Sequence, residues 1–441
     1  MAKSLHEIRD PIHVFIKMDS HERKVVDSRP FQRLRHIHQL ALTNLVYPGA
    51  THRRFEHSLG VMELAGRVFD KITDPHNVTD EVRGLLPNLN DDDERRYWRK
   101  VVRMAALCHD IGHLPFSHAA EKELLPDGVD HEEITKSLIL SGVMTEIFDG
   151  MNPPVRPSDV AKLAVGQKHY PDEKFTDWET ILSEIIVGDV FGVDRMDYLL
   201  RDSYHAGVAY GRFDHYRLID TLKILTKPDD NLGNEGSVEP YLGVEEGGLQ
   251  SAEALLLARY FMFSQVYLHP VRRIYDIHLK DFLKSYLPGG NFDIDIEKHL
   301  KMTDNEVLTA IYSASRNSSA EGHSHAKTIV ERAHYKLVYQ KNPNDQAQNP
   351  EAALAVFRSL GKIFGQENVR VDTYSKAGGN FDFPVLNNDR RVVSSLTVST
   401  TLNGVPPLGS DYVFIRSDLR EDAQRWLDIN LTAALKIEEE E

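Results

Sequence analysis

The stretch "CHDIGHLPFSH", Cys108–His118, sets three histidines and an aspartate among small and apolar residues, directly after the apolar run "VVRMAAL". Imidazole titrates near neutral pH and ligates metals readily. A largely buried His-Asp pair needs compensation, and a bound cation supplies it. Two further groups complete a ligand set: His57 in "RRFEHSLG" and Asp194 in "GVDRMDY". With His109 and Asp110 they offer two imidazoles and two carboxylates, which suit a borderline-to-hard divalent ion such as Mn, Fe, Co or Zn. The absence of thiolate from the set argues against a structural zinc cluster. Sites of this kind leave coordination positions for water or phosphate oxygen. Taken singly, each residue has a plainer reading: His57 as a hydrogen-bonded histidine on a helix face, Asp194 as a helix N-cap, the His-Asp pair as chance neighbours.

A second signal is charge. The formal net charge is −15, which argues against wholesale nucleic-acid or membrane affinity. Yet Lys and Arg outnumber acids in "HERKVVDSRPFQRLRHIHQL" and in "THRRFEH". A basic island in an acidic chain points to a local anionic ligand, with phosphate first among candidates. Surface arginines paired to acids elsewhere are the alternative.

These residues need elements to hold them. The 441 residues suffice for a large core and two or three subdomains. The single cysteine excludes an intrachain disulfide and fits a reducing compartment. "MAKSLHEIRDPIHVF" lacks the apolar core of a signal peptide, and no apolar run approaches a membrane span, so a soluble cytoplasmic protein is expected. Apolar spacing predicts helices in "SLGVMELAGRVFDKI", "DERRYWRKVVRMAALCHD" and "AKTIVERAHYKLVYQ". "WETILSEIIVGDVFGVDRMDYLLRDSYHAG" reads as helix, glycine break, helix. A long helical stretch over residues 249–287 is interrupted at Pro270. A turn-rich insertion near 226–248 reads as a β-hairpin or a mobile loop. "NPNDQAQNP" is read as a polar linker. Beyond it, "NVRVDTYS", "NFDFPVL", "RRVVSSLTV" and "LGSDYVFIRS" read as short strands between the helices "EAALAVFRSLGKIFG" and "REDAQRWLDINLTAALKI". The expected architecture is mainly α: a helical core over 1–285, a helical extension over 286–340, and a small α+β subdomain over 341–441.

The motifs "FQRLRHIHQL", "YPGATHRRFEHSLGV", "HDIGHLPFSH", "HEE" and "VDRMDYLLRDSYHAG" occur here in that order. Together they closely resemble the HD-domain deoxynucleoside triphosphate triphosphohydrolases, a family of bacterial dGTPase-like enzymes and the mammalian sterile-alpha-motif/HD-domain dNTPase. The resemblance spans roughly residues 5 to 285 and is vaguer after about 290. It implies an HD-domain helical core, with His57, His109, Asp110 and Asp194 as ligands of a divalent ion (Mn, Fe, Mg, Co or Zn). It also implies hydrolysis of dNTPs to deoxynucleoside and triphosphate.

Further roles follow from the same resemblance. It places His113 and His131 near the scissile bond, tuned by an acid at Glu121. A histidine backed by a carboxylate is also, on its own chemistry, suited to passing protons near neutral pH. Helix-start histidine is the alternative for His131. For the triphosphate it implies His118 and Arg259, beside Arg54 and Arg195, which adjoin metal ligands in sequence. The family often has Lys where this chain has Arg195, a planar fork in place of a point charge. Tyr198, Asp202 and Gln39 match residues near the sugar. Tyr267 matches a tyrosine set against C2′, which favours deoxyribonucleotides. Core packing is the alternative for both tyrosines. Asp27, Gln32 and Arg35 in "DSRPFQRLR" match positions that bind an activating guanine nucleotide in relatives, with helix capping and surface charge as the alternative. Such activation goes with a homo-oligomer, expected as a tetramer, and no sterile-alpha-motif module is recognised. Two rivals remain: an HD nucleotidase or phosphodiesterase, which usually lacks the "FQRLRHIHQL…RRFEHSLG" run, and a non-catalytic nucleotide sensor.

Overall fold

The computed structural model describes residues 5–117, 121–171, 173–226, 239–376 and 381–436. The chain is mainly helical, with a small α+β region. It forms two compact units, neither continuous in sequence. The first comprises Met1–Met262, Asp293–Asn305 and Asn380–Val405; the second comprises Phe263–Phe292, Glu306–Gly379 and Pro406–Glu441. No helix among the described residues is long and apolar enough to cross a membrane.

The first unit opens with a hairpin that helical reading of this region did not anticipate. Leu5–Asp10 pairs antiparallel with Val14–Asp19. Asp10 makes the turn by accepting from the backbone N–H groups of Ile12 and His13, at 2.9 and 2.8 Å. Behind it stands a helical core. The helix Arg54–Ile72 packs on Asp92–Cys108, on Asp177–Val187 and on Val193–Ala206. Leu59, Met62, Leu64 and Phe69 of the first of these are buried, as are Met104, Leu107, Ile181, Ile185 and Met196 of the helices it packs on. Asp91 caps Asp92–Cys108 by accepting from Asp93 and Glu94, and an acidic first turn suits the helix dipole. The "GVDRMDY" helix, Val193–Ala206, ends at Gly207 with φ +73°, the left-handed conformation that favours glycine.

A four-stranded sheet completes this unit. Leu222–Thr226 and Pro240–Glu245 pair antiparallel, so strands flank the turn-rich insertion, whose residues 227–238 lie outside those described. Pro384–Leu386 adds in parallel to the second strand, and Val392–Ser394 closes the edge. These last two strands were expected with the C-terminal α+β segment, but they pair in the first unit.

The second unit is built on a three-stranded antiparallel sheet, in the order Lys336–Gln340, Leu408–Ile415, Val369–Lys376. Alternation along the central strand divides its faces. Val413 and Ile415 pack with Val356 and Leu360 of the helix Ala352–Phe364 and Leu427 of Arg420–Ala434. Tyr412 and Phe414 pack against Ile274 of the helix Pro270–Tyr286. Two expectations are corrected here. The helical pattern of "AKTIVERAHYKLVYQ" ends at Val330, and "KLVYQ" is a strand. "NPNDQAQNP" is not a plain linker, because Asn342 caps a short helix, Pro343–Gln348.

Candidate functional site

Five pieces of the first unit converge on one cluster. The helix Asp92–Cys108 stops at Cys108, and His109–Gly112 form a tight turn, with Ile111 N–H bonded to Cys108 O and His113 N–H to Asp110 O. His109 and His113 therefore do not share a helix face; the turn is what carries His113 to Asp110, with Nε2 to Oδ1 at 3.1 Å. His57 comes from the first turn of Arg54–Ile72, Asp194 from the first turn of Val193–Ala206, and His131 from the start of His131–Ile139. Gly112 allows the last helix to approach: a Cβ there would meet Thr135 N at 2.3 Å and His131 O at 2.4 Å.

The proposed ligands come together. Donor atoms of His57, His109 and Asp194 lie within 4.8 Å of one another. His57 Nε2 is 3.0 Å from Asp194 Oδ1 and 3.7 Å from Asp110 Oδ2. His109 Nε2 is 3.4 Å from both Asp110 Oδ1 and Asp194 Oδ1. The residues fit a divalent cation on three counts. His109 Nδ1 donates to Ala106 O at 2.8 Å, leaving Nε2 as the lone-pair nitrogen, buried and without a hydrogen-bond partner. The donors are imidazole and carboxylate, with no thiolate. Burial alone would depress the His57 pKa, but its bonds to Asp194 and Asp197 raise it to about 10. A proton held that firmly stands where a cation's charge would.

Behind His57 lies a layer that sequence reading missed. His57 Nδ1 donates to Asp197 Oδ2 at 2.8 Å. The same carboxylate accepts from His13 Nε2 at 2.7 Å and from Arg201 Nε and Nη2 at 2.8 and 3.0 Å. Arg201 Nη1 reaches Asp10 Oδ2 at 2.8 Å. Burial opposes ionisation of Asp197, but Arg201 and the histidines hold its carboxyl well below the usual range. A Cβ on Gly60 would stand 1.9 Å from Asp197 Oδ1, so the "SLG" glycine is required for the carboxylate to reach across. The available signal was spacing: Asp197 lies one helical turn after Asp194.

Beside the cluster, His113 and His131 stack with ring centroids 3.9 Å apart. Their protonation is driven apart. Burial, with Arg54 and His131 nearby, pushes His113 well below the ordinary histidine range. Burial also opposes charge on His131, but Glu121 at 2.6 Å and Glu132 at 3.0 Å raise it to about 10. Glu121, one of the residues singled out in the sequence, lies beside His131, and Glu132, which was not, is a second carboxylate there. The pair offers one neutral and one cationic imidazole in a single stack.

Cations line the same region. Arg54 is buried, donates from Nε to Ser117 Oγ at 2.7 Å, and pairs with Asp110. Arg195 bonds to Gly188 O at 3.3 Å and sits near Tyr198, whose pKa is raised by burial. Arg259 is buried over the Phe381 ring. Asp202 accepts from His52 Nε2 at 2.7 Å, and Gln39 N–H donates to His52 O at 3.0 Å, which ties these two expected residues to one histidine. Tyr267 belongs to the second unit, edge-on to Phe263. His118 lies outside the described residues. Asp27 pairs with Arg23 at 2.8 Å, and Arg35 donates to Gln32 Oε1 at 2.9 Å while stacking on Phe55.

Two family descriptions match the chain: "HD domain" over residues 54–164 and "HD associated region" over 213–353. An uncharacterized protein of Methanocaldococcus jannaschii is 36% identical over 318 residues, covering 70% of this chain and 55% of its own. The deoxynucleoside triphosphate triphosphohydrolase SAMHD1 of Bos taurus is 29% identical over 371 residues, covering 76% of this chain and 59% of its own. The chain thus spans little more than half the length of these two relatives. A crystal structure of a hypothetical protein from Aquifex aeolicus superposes with a TM-score of 0.74 at 31% identity, covering 96% of this chain and 100% of that one.

Proposed function

Because the chain belongs to the HD-domain phosphohydrolases, we propose that it is a metal-dependent enzyme that cleaves dNTPs to deoxynucleoside and triphosphate. The bond broken is that between the 5′ oxygen and the α-phosphorus. The observation that carries the reading is Asp110, whose Oδ1 lies near both His109 and His113 and whose Oδ2 lies near both His57 and Arg54. A cation site and a proton-transfer site therefore share one residue.

His57, His109 and Asp194, with Asp110 beside them, would hold a divalent ion, which would polarise a phosphoryl oxygen. His131, kept protonated by Glu121 and Glu132, and His113, kept neutral, provide a donor and an acceptor for the leaving and attacking oxygens. Arg54, Arg195 and Arg259 balance the triphosphate charge. Asp202, Tyr198 and Gln39 take the sugar. Preference for deoxyribonucleotides draws support from the name of the bovine relative. Activation by a nucleotide at Asp27, Gln32 and Arg35, with oligomer formation, extends the same reading. Its support is Arg35, exposed on the surface beside Gln32.

The test is product analysis. The metal-loaded protein is incubated with each dNTP, alone and with GTP, and products are resolved by ion-pair chromatography against a His109→Ala, Asp110→Ala blank. Deoxynucleoside with intact triphosphate supports the reading. Orthophosphate or pyrophosphate moves the assignment to another phosphohydrolase class. Bound nucleotide without turnover favours a sensor.

A further inference from the structure

Asp304 stands far along the chain from the "HDIGHLPFSH" loop, yet its side chain bonds to that loop and to His38, which stacks on it. Oδ1 accepts from Phe116 N–H at 2.7 Å. Oδ2 accepts from His38 N–H at 2.7 Å and from His38 Nδ1 at 2.5 Å. The residue is fully buried. Phe116 and Ser117 have φ of +57° and +56°, two successive non-glycine residues in the left-handed region. Such a conformation persists only where the surroundings over-determine it. Here the Phe116 ring is buried and stacked parallel on His38, and Ser117 Oγ donates to His38 O at 3.1 Å.

The same segment reaches the loop a second time. Arg33 donates from Nε to Met302 O at 3.0 Å and from Nη1 to His113 O at 2.8 Å. The loop is therefore tied at His113 and at Phe116 to residues within Asp293–Asn305. The first tie falls at His113, directly after the turn that aims it at Asp110, and beyond the second lies Ser117, which accepts from Arg54.

We propose that Asp304 is a positioning residue: its carboxylate holds the strained Phe116–Ser117 backbone, and through it sets His113 and Arg54 in place for the reaction. The inference rests on the proposed roles of His113 and Arg54. Asp304→Asn keeps the shape but turns one acceptor into a donor facing His38. It is compared with Asp345→Asn, a similarly buried aspartate of the second unit that accepts from Tyr339 and Asn342. Hydrogen exchange over Leu114–Ser117, thermal stability, and kcat and KM for the dNTP most rapidly cleaved are measured for both.

Asp304→Asn is expected to speed exchange in this loop and to lower kcat by about 10- to 100-fold with KM little changed. Asp345→Asn is expected to lose stability while keeping kcat. The proposal is overturned if Asp304→Asn keeps kcat within about twofold, or if both variants lose kcat in step with stability. If the wild type cleaves no nucleotide, the function reading fails instead. Loop exchange then decides: unchanged exchange in Asp304→Asn overturns the positioning role, and faster exchange supports it.

Discussion

Replacing Asp197 with Asn tests the buried layer behind His57. The carboxylate takes bonds from His13, from His57 and twice from Arg201, all at 3.0 Å or less. An amide of the same shape loses the charge and presents an NH2 group to donors. Each hydrogen bond to a charged group contributes about 1.5–3 kcal/mol, and removing one partner of a buried ion pair costs about 3–5 kcal/mol. Arg201 keeps Asp10 as a partner at 2.8 Å, so the lower end, about 3 kcal/mol, is expected for stability. The second effect is on the ion. His57 Nδ1 donates to Asp197, which orients the ring and directs Nε2 toward Asp194. Loss of such an outer partner weakens metal affinity about 10- to 100-fold, or about 1.4–2.7 kcal/mol. Calorimetric titration of the apo protein with Mn2+ measures the affinity, and urea unfolding of the apo protein measures stability. An affinity within about twofold of wild type would refute the idea that Asp197 orients a ligand, whatever the stability change.

Three further outcomes are expected. Gly112→Ala places a Cβ against backbone atoms of His131 and Thr135, which cannot rotate away, so the His131–Ile139 helix must shift; kcat should fall by about 100-fold, and wild-type turnover would contradict it. The His131 pKa is raised from 6.5 to about 10 despite burial, because Glu121 and Glu132 bond to it. Its pairing therefore stabilises the fold fully below pH 6.5 and fades as pH rises through 10, so the stability gap between wild type and His131→Gln should shrink across that range; a gap that widens with pH would reverse the sign. Cys108 is fully buried, and burial pushes its thiol up, so iodoacetamide should label it only after unfolding; labelling of the native protein would contradict the packing.

Much of the site was legible because its signals are local. His109, Asp110 and His113 stand in one short stretch, and the helical reading took in Asp194, while the helix read from Ser58 onward in fact begins at Arg54 and includes His57. What escaped depends on pairing between distant segments. His13 meets Asp197 across 184 residues, and Asp304 meets Phe116 across 188. No property of "DPIH" or "MTDN" reveals the partner. The strand at Lys336–Gln340 begins a few residues after a helix, and its apolar residues continue the helical spacing. Only the partner strand Leu408–Ile415 shows that they are extended. The N-terminal hairpin was equally hidden. "LHEIRD" and "VFIKMD" do alternate, but its outer face is largely exposed and its apolar signal is weak. The strands Pro384–Leu386 and Val392–Ser394 joined the first unit because the sheet edge at Pro240–Glu245 was there to accept them, which a linear reading cannot detect.

In the proposed reaction, water attacks the α-phosphorus of a dNTP and the 5′ oxygen leaves with the nucleoside. Turnover of a dNTP by the metal-loaded protein in 18O-labelled water, with both products examined by mass spectrometry, tests it most directly. One labelled oxygen in intact triphosphate and none in the deoxynucleoside is the expected result. Label in the deoxynucleoside, or in orthophosphate or pyrophosphate formed in place of triphosphate, would contradict it.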